Sequence, residues 1–78
     1  MKMEVGKTYR IKKDFSRFRT GELWTLTDKG FQAYFGEYNF IFVNTEKCSQ
    51  CLVLRDASDE DMEMYRCMQD YFEEFIPN

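Results

Sequence analysis

The sequence predicts an α+β domain: a small, strongly bent antiparallel sheet or partly open barrel of five strands, closed by one C-terminal helix packed on it. Three features carry that expectation. Residues 31–43 gather Phe31, Tyr34, Phe35, Tyr38, Phe40 and Phe42 around Gly36, a density of rings that suits a pleated, half-buried surface and crowds a helix. Residues 8–15 alternate apolar and polar with the period of two that a strand with one wet face requires. Beyond Ser58 the period lengthens to that of an amphipathic helix.

Taken in order, Val5, Tyr9, Ile11 and Phe15 share one parity and Thr8, Arg10, Lys12 and Asp14 the other, so 8–15 reads as the first strand after a bend at Gly6. The loop 16–21 is polar and cationic and closes on a glycine, with Phe18 expected to tuck back onto the core. The second strand is read over 22–27, with Trp24 and Leu26 on one face, and Asp28-Lys29-Gly30 as a tight turn after it. Strands three and four, 31–35 and 38–43, make a tight hairpin about Gly36-Glu37, with Phe31, Ala33 and Phe35 facing in and Tyr34 facing out. The fourth is apolar on both faces beyond Asn39 and takes the centre of the sheet. A polar loop over 44–50 leads to a short fifth strand at 51–55.

Ser58 followed by Asp59, Glu60 and Asp61 is an N-cap with an acidic first turn. From there Met64, Tyr65, Met68, Tyr71, Phe72 and Phe75 recur at three- and four-residue steps, which predicts a helix over 59–75, stopped by Pro77. An isolated helix of that length is marginal in water, so its stripe must lie against the sheet. Met62 falls outside the stripe and is expected to be exposed. No linker divides the chain, and 1–78 reads as a single domain with its strands within 5–55.

The element order, with Gly6, Tyr9 and Ile11 at its start, resembles the SH3-like small barrels. Val5-Gly6, Tyr9, Ile11, Asp14-Phe15, then Gly21-Glu22, Trp24, Leu26 and a late Tyr71-Phe72 resemble a family of uncharacterised bacterial proteins of about this length. That resemblance implies a fold and carries no activity.

The net charge of −3 hides a polarity along the chain. Residues 1–19 hold seven cations against Glu4 and Asp14, a balance of +5, and residues 56–78 hold eight carboxylates against Arg66, a balance of −7. Ends of opposite sign can attract each other in the fold or face different partners. No apolar run approaches the length of a membrane span, and the start Met1-Lys2-Met3-Glu4 reads as an unprocessed terminus. Three cysteines, an odd number, fit a reducing compartment, so a cytoplasmic protein is expected.

Catalysis has no visible candidate: histidine is absent, no serine sits in a nucleophile elbow, and no glycine-rich phosphate loop is present. A non-enzyme without cofactor is therefore expected. Cys48 and Cys51, with two residues between them, could grip zinc at one knuckle, but a structural site needs four ligands and only Cys67 remains. A redox pair wants its first thiol at a helix N-terminus, and here a strand follows. As ordinary residues, Cys48 belongs to a loop, Cys51 to the buried head of strand five and Cys67 to the margin of the helix stripe as small apolar filler.

Two surfaces remain. Tyr34 and Tyr38 at the hairpin tip, with Trp24, are the first choice for contact with a protein partner, because such rings bury large area at little entropy cost; the same rings could equally close a small core. Glu63, Asp70, Glu73 and Glu74 on one helix face could imitate the phosphates of a nucleic acid, as in an acidic inhibitor from a phage or mobile element, or form an ordinary solvated face. The basic stretch Lys7–Arg19, interleaved with Tyr9, Phe15 and Phe18, could track phosphates, but Tyr9 and Phe15 have core parity and an acidic protein opposes a nucleic acid's approach, so direct binding is not expected. Open sheet edges allow a homo-oligomer.

Overall fold

The computed structural model describes residues 1–77 as a five-stranded antiparallel sheet with one helix packed on a face; Asn78, the last residue of the expected 1–78 unit, lies outside them. The strands are β1 (Thr8–Ile11), β2 (Leu23–Gln32), β3 (Glu37–Val43), β4 (Ser49–Arg55) and β5 (Phe72–Glu74), in the order β4-β3-β2-β1-β5. The helix α1 (Asp59–Arg66) and a 3₁₀ turn (Met68–Asp70) lie between β4 and β5. The α+β class and the strand number hold: the five strands are hydrogen-bonded into one antiparallel sheet with β4 and β5 at its edges, bent so that Phe72 of β5 stacks on Phe42 of β3.

Three elements depart from the sequence reading. Asp28-Lys29-Gly30 is not a turn: β2 runs straight through it, joining the two expected strands 22–27 and 31–35. A bulge between Leu26 and Asp28 admits Thr27 as an extra residue, so Leu26 pairs with Phe42 and Asp28 with Ile41. A bulge switches the facing parity of everything after it. Lys29 and Phe31 therefore join Phe40 and Tyr38 on the core-side face, while Asp28 and Gly30 point away. The hairpin turn is the four residues 33–36 rather than a two-residue turn at Gly36-Glu37, closed by Phe35 N–H donating to the Gln32 carbonyl at 3.2 Å.

The third departure is at the C-terminus. Ser58 caps α1 as expected, its Oγ accepting from Asp61 N–H at 3.2 Å. The helix nevertheless ends at Arg66 instead of residue 75, well before Pro77, and the chain turns back to lay Phe72–Glu74 beside β1. Phe72 then faces Ile11, and Lys12 N–H donates to the Tyr71 carbonyl at 2.8 Å. Alternation at 72–74 and helical spacing at 64–75 share residues, and pairing with the open side of β1 decides between them. β1 itself stops at Ile11 because its ladder partner on the other side begins only at Leu23.

The core comprises Tyr9, Ile11, Phe18, Trp24, Leu26, Phe40, Phe42, Leu52, Leu54, Met68 and Phe72, with Met3 reaching in from the N-terminus. Met62, expected to be exposed, packs partly buried against it. Phe18 does tuck back as expected. It stacks on Phe15 at 5.0 Å and meets Trp24 and Phe42 edge-on at 5.3 and 5.5 Å. Phe72 stacks flat on Phe42 at 5.4 Å and closes the cluster.

The loop that delivers Phe18 is tied down by Asp14, whose Oδ1 accepts from Thr20 N–H and Thr20 Oγ1, both at 2.8 Å. These bonds hold the Asp14 carboxyl below its ordinary 3.8. A carboxyl depressed in the fold contributes stability that is present above its unfolded pKa and lost as pH falls through the folded one. Chemical unfolding of Asp14→Ala is therefore expected to show its largest deficit against wild type near neutral pH, shrinking below pH 3.8. A deficit equal at pH 3 and pH 7 would remove Asp14's charge from the account.

Candidate interaction surface

The opposed charges of the two chain ends meet inside the fold. Because β5 lies antiparallel to β1, Lys7 Nζ bonds Glu74 at 2.8 Å with Glu4 at 3.3 Å, and Arg10 pairs with Glu73 at 3.3 Å. Lys7 is held above its ordinary range by those two partners, Glu74 first. Lys12 donates to the Gln69 carbonyl at 2.8 Å, and the Lys13 ammonium lies 4.3 Å from the centre of the Tyr71 ring. These are exposed contacts worth little singly.

The carboxylates expected on one helix face are dispersed by the same turn. Only Glu63 is on α1, beside Arg66 at 3.4 Å; Asp70 ends the 3₁₀ turn, and Glu73 and Glu74 lie on β5 on alternate faces, paired as above. The single rigid acidic face is not formed. Trp24 is likewise corrected from a contact residue to a core residue: it is 3% exposed, with its Nε1–H donating to Glu22 Oε1 at 3.2 Å.

The thiols are separated in environment. Cys51 is exposed on β4, contrary to the buried position expected, because its parity is opposite to that of Leu52 and Leu54. Cys48 is exposed in the β3–β4 loop. Cys67 follows α1, half-buried, and burial together with the neighbouring Glu63 carboxylate pushes its thiol up, away from the reactive thiolate. Among the described residues no group of three or more Cys, Asp or Glu is placed to hold a metal ion, and no helix is long and apolar enough to cross a membrane.

What the structure does assemble is an aromatic end to the β2–β3 hairpin. Phe31 leans on Tyr38 at 4.6 Å between centroids, and Tyr38 on Tyr65 of α1 at 4.3 Å, a row running from hairpin to helix. At the tip Tyr34 and Phe35 meet edge to face at 5.0 Å. Tyr34 is 93% exposed, Phe35 64% and Phe31 48%. Phe31 shares the core-side face with Phe40, yet stays half-exposed because α1 is short: eight residues rise about 12 Å, against a molecule 39 Å long. Gly36 sits at the tip in the left-handed region that favours glycine, with φ 62°, and an added Cβ would meet the Asp56 side chain, 2.8 Å from its Cγ. Asp56 N–H donates to the Gly36 carbonyl at 2.8 Å, seating the turn against the β4–α1 corner.

Sequence reasoning found Tyr34 and Tyr38 here and missed Phe31, Phe35 and Tyr65. Phe31 and Phe35 were expected to face in and Tyr65 to lie in a buried helix stripe; Phe31 is on the core side, but the helix ends too early to cover it, and Phe35 falls in the turn instead of on a strand. A shallow groove of about 470 Å³ lies on the core side between Met1, Met3, Lys29, Phe40, Tyr65 and Met68, and another of about 400 Å³ lies on the opposite face between Phe35, Ile41 and Cys51.

No family model matches the chain, and no curated protein matches it. Among solved structures it is similar to an integron cassette protein from the mobile metagenome of Vibrio cholerae, with a TM-score of 0.78 over 94% of this chain and 86% of that one, at 15% sequence identity. At that identity the likeness is one of fold, the same small antiparallel sheet with its helix.

Proposed function

We propose that this chain is a small non-catalytic protein-binding module whose contact surface is the aromatic end of the β2–β3 hairpin. The observation that carries the reading is the exposure of Tyr34 and Phe35, whose rings meet edge to face, beside the half-exposed Phe31. Large rings that lie in water cost solubility and invite association, so their clustering fits a surface that is covered in use. Tyr and Phe in such a patch supply the buried anchors that dominate interface energies, and the Glu37–Arg55 pair at 3.5 Å gives it a polar rim.

The inhibitor reading fits a fold that a mobile bacterial gene cassette also encodes, but a nucleic-acid mimic needs carboxylates on one rigid face, and these are split between α1 and β5. The hairpin is the better-supported contact.

The test is a double variant, Tyr34→Ala with Phe35→Ala. Immobilised wild-type protein should retain a protein partner from source-cell extract, and the purified partner should bind the variant more weakly by more than about 2 kcal/mol. The variant's own unfolding free energy should stay within about 0.5 kcal/mol of wild type, as for surface substitutions elsewhere. Undiminished binding by the double variant would move the contact off the hairpin.

A further inference from the structure

We propose that the chain forms a symmetric dimer by pairing β4 with β4 of a second copy, antiparallel, about a two-fold axis through Cys51. The inference rests on which backbone groups of this edge strand are already used. Asn44 N–H donates to the Cys48 carbonyl at 3.0 Å and Asp56 N–H to the Gly36 carbonyl at 2.8 Å. Between those two bonds the β3–β4 ladder has no shift in register. An antiparallel ladder alternates, so the even residues Gln50, Leu52 and Leu54 bond inward to β3 and the odd residues direct N–H and C=O to the open side.

Arg55 is removed from that open set by its own corner. Its N–H donates to Asp61 Oδ2 at 2.9 Å and its carbonyl accepts from Ser58 N–H at 3.1 Å. At the other end Lys47 turns out of extended conformation with φ 64°. Ser49, Cys51 and Val53 remain, and among the described residues none of their backbone groups has a partner beyond the ladder. A two-fold axis through Gln50 would pair only Ser49 with Cys51, and one through Leu52 would need the blocked Arg55. An axis through Cys51 pairs Ser49 with the second copy's Val53, Cys51 with its counterpart, and Val53 with the second copy's Ser49. That register alone uses all the open groups.

The side chains agree. From Ser49 to Leu54 the strand carries no charge and no proline, the devices by which proteins ordinarily blunt an exposed edge. The opposite edge is different: β5 is three residues long and carries Glu73 and Glu74. In the paired sheet Val53, exposed on the outer face, gains a neighbour across the seam in the second copy's Ser49. Because the strands run antiparallel, the two acidic α1 helices, each following Arg55, fall at opposite ends and do not repel one another. The dimer leaves the aromatic hairpins free, so this proposal stands or falls separately from the partner reading.

Sedimentation equilibrium under reducing conditions should show a reversible monomer–dimer equilibrium. Val53→Pro deletes an outward N–H while leaving the inward ladder intact, and should weaken the dimer by at least about thirtyfold, since it removes one bond from each copy. Cys51→Lys, which sets two ammoniums opposite each other on the solvent face, serves as the second variant and should weaken it by about tenfold. With Cys48→Ser and Cys67→Ser, a short bismaleimide should crosslink two copies through Cys51 alone, because paired α-carbons at the axis lie about 5.5 Å apart. Amide exchange should be slow at Cys51 and Val53 in the dimer and fast on dilution. A monomer at every concentration, a dimer indifferent to both variants, or no Cys51 crosslink overturns the proposal.

Discussion

Replacing Phe72 by Ala will lower the unfolding free energy by about 3–5 kcal/mol, the usual loss for emptying a buried ring site. Phe72 is 1% exposed and touches Tyr9, Phe15, Phe18 and Phe42, so its removal opens a hole at the junction of β1, the Phe18 loop and the sheet centre. A domain of this size has only about 4–12 kcal/mol in total, and its melting temperature should fall by more than about 12 °C in a circular-dichroism scan. Should the variant fail to fold, Phe72→Leu retains most of the volume and should shift in the same direction by a smaller amount. A melting temperature within about 2 °C of wild type would mean that β5 does not pack where the structure has it. Ending the chain at Asp70 is the stronger form of the experiment: the ring, the ladder to β1 and the Lys7 and Arg10 pairs go together, and the cooperative transition should be lost.

Trp24→Ala is expected to cost a comparable 3–5 kcal/mol or about that, and its interest lies in the kind of effect. As a core residue under Phe18, Trp24 should report in stability, with partner affinity unchanged in whatever fraction remains folded. As a surface anchor it would report in affinity with an unchanged melt. Trp24→Phe keeps an edge for Phe18 and loses the bond to Glu22, so a cost nearer 1–2 kcal/mol, about a third of the Ala value, is expected. The chain has a single tryptophan, so native fluorescence shielded from a soluble quencher and exposed on unfolding checks its placement directly. Free quenching in the native state would put the ring back at the surface.

The two variants mark where sequence reasoning stops. The sequence puts Trp24 and Leu26 on one face of their strand and Tyr9 and Ile11 on one face of theirs, and the structure joins the two faces, because local alternation at 8–11 and 22–26 is undisturbed and burial follows parity. Trp24 was then offered as a contact because nothing local distinguishes a ring turned inward from one turned out. Phe72 was assigned to a helix since its spacing from Met64 and Met68 is helical. The candidate surface is half legible for the same reason: Tyr34 follows from a turn at Gly36, whereas the exposure of Phe31 and Tyr65 depends on the true end of α1.

By itself the sequence determined what is local: the strand alternation, the Ser58 cap, the need for glycine at 36, and the opposed charges of the two ends. Tertiary structure alone decided that Asp28-Lys29-Gly30 is extended, that the helix stops at Arg66 and that Phe72–Glu74 is an edge strand. Each of those choices depends on hydrogen-bond partners distant along the chain, Ile41 to Asn39 for the first and Tyr9 to Ile11 for the last. A turn signal or a helical spacing is a preference of about 1 kcal/mol per residue or less, and a ladder with a buried ring behind it outweighs it.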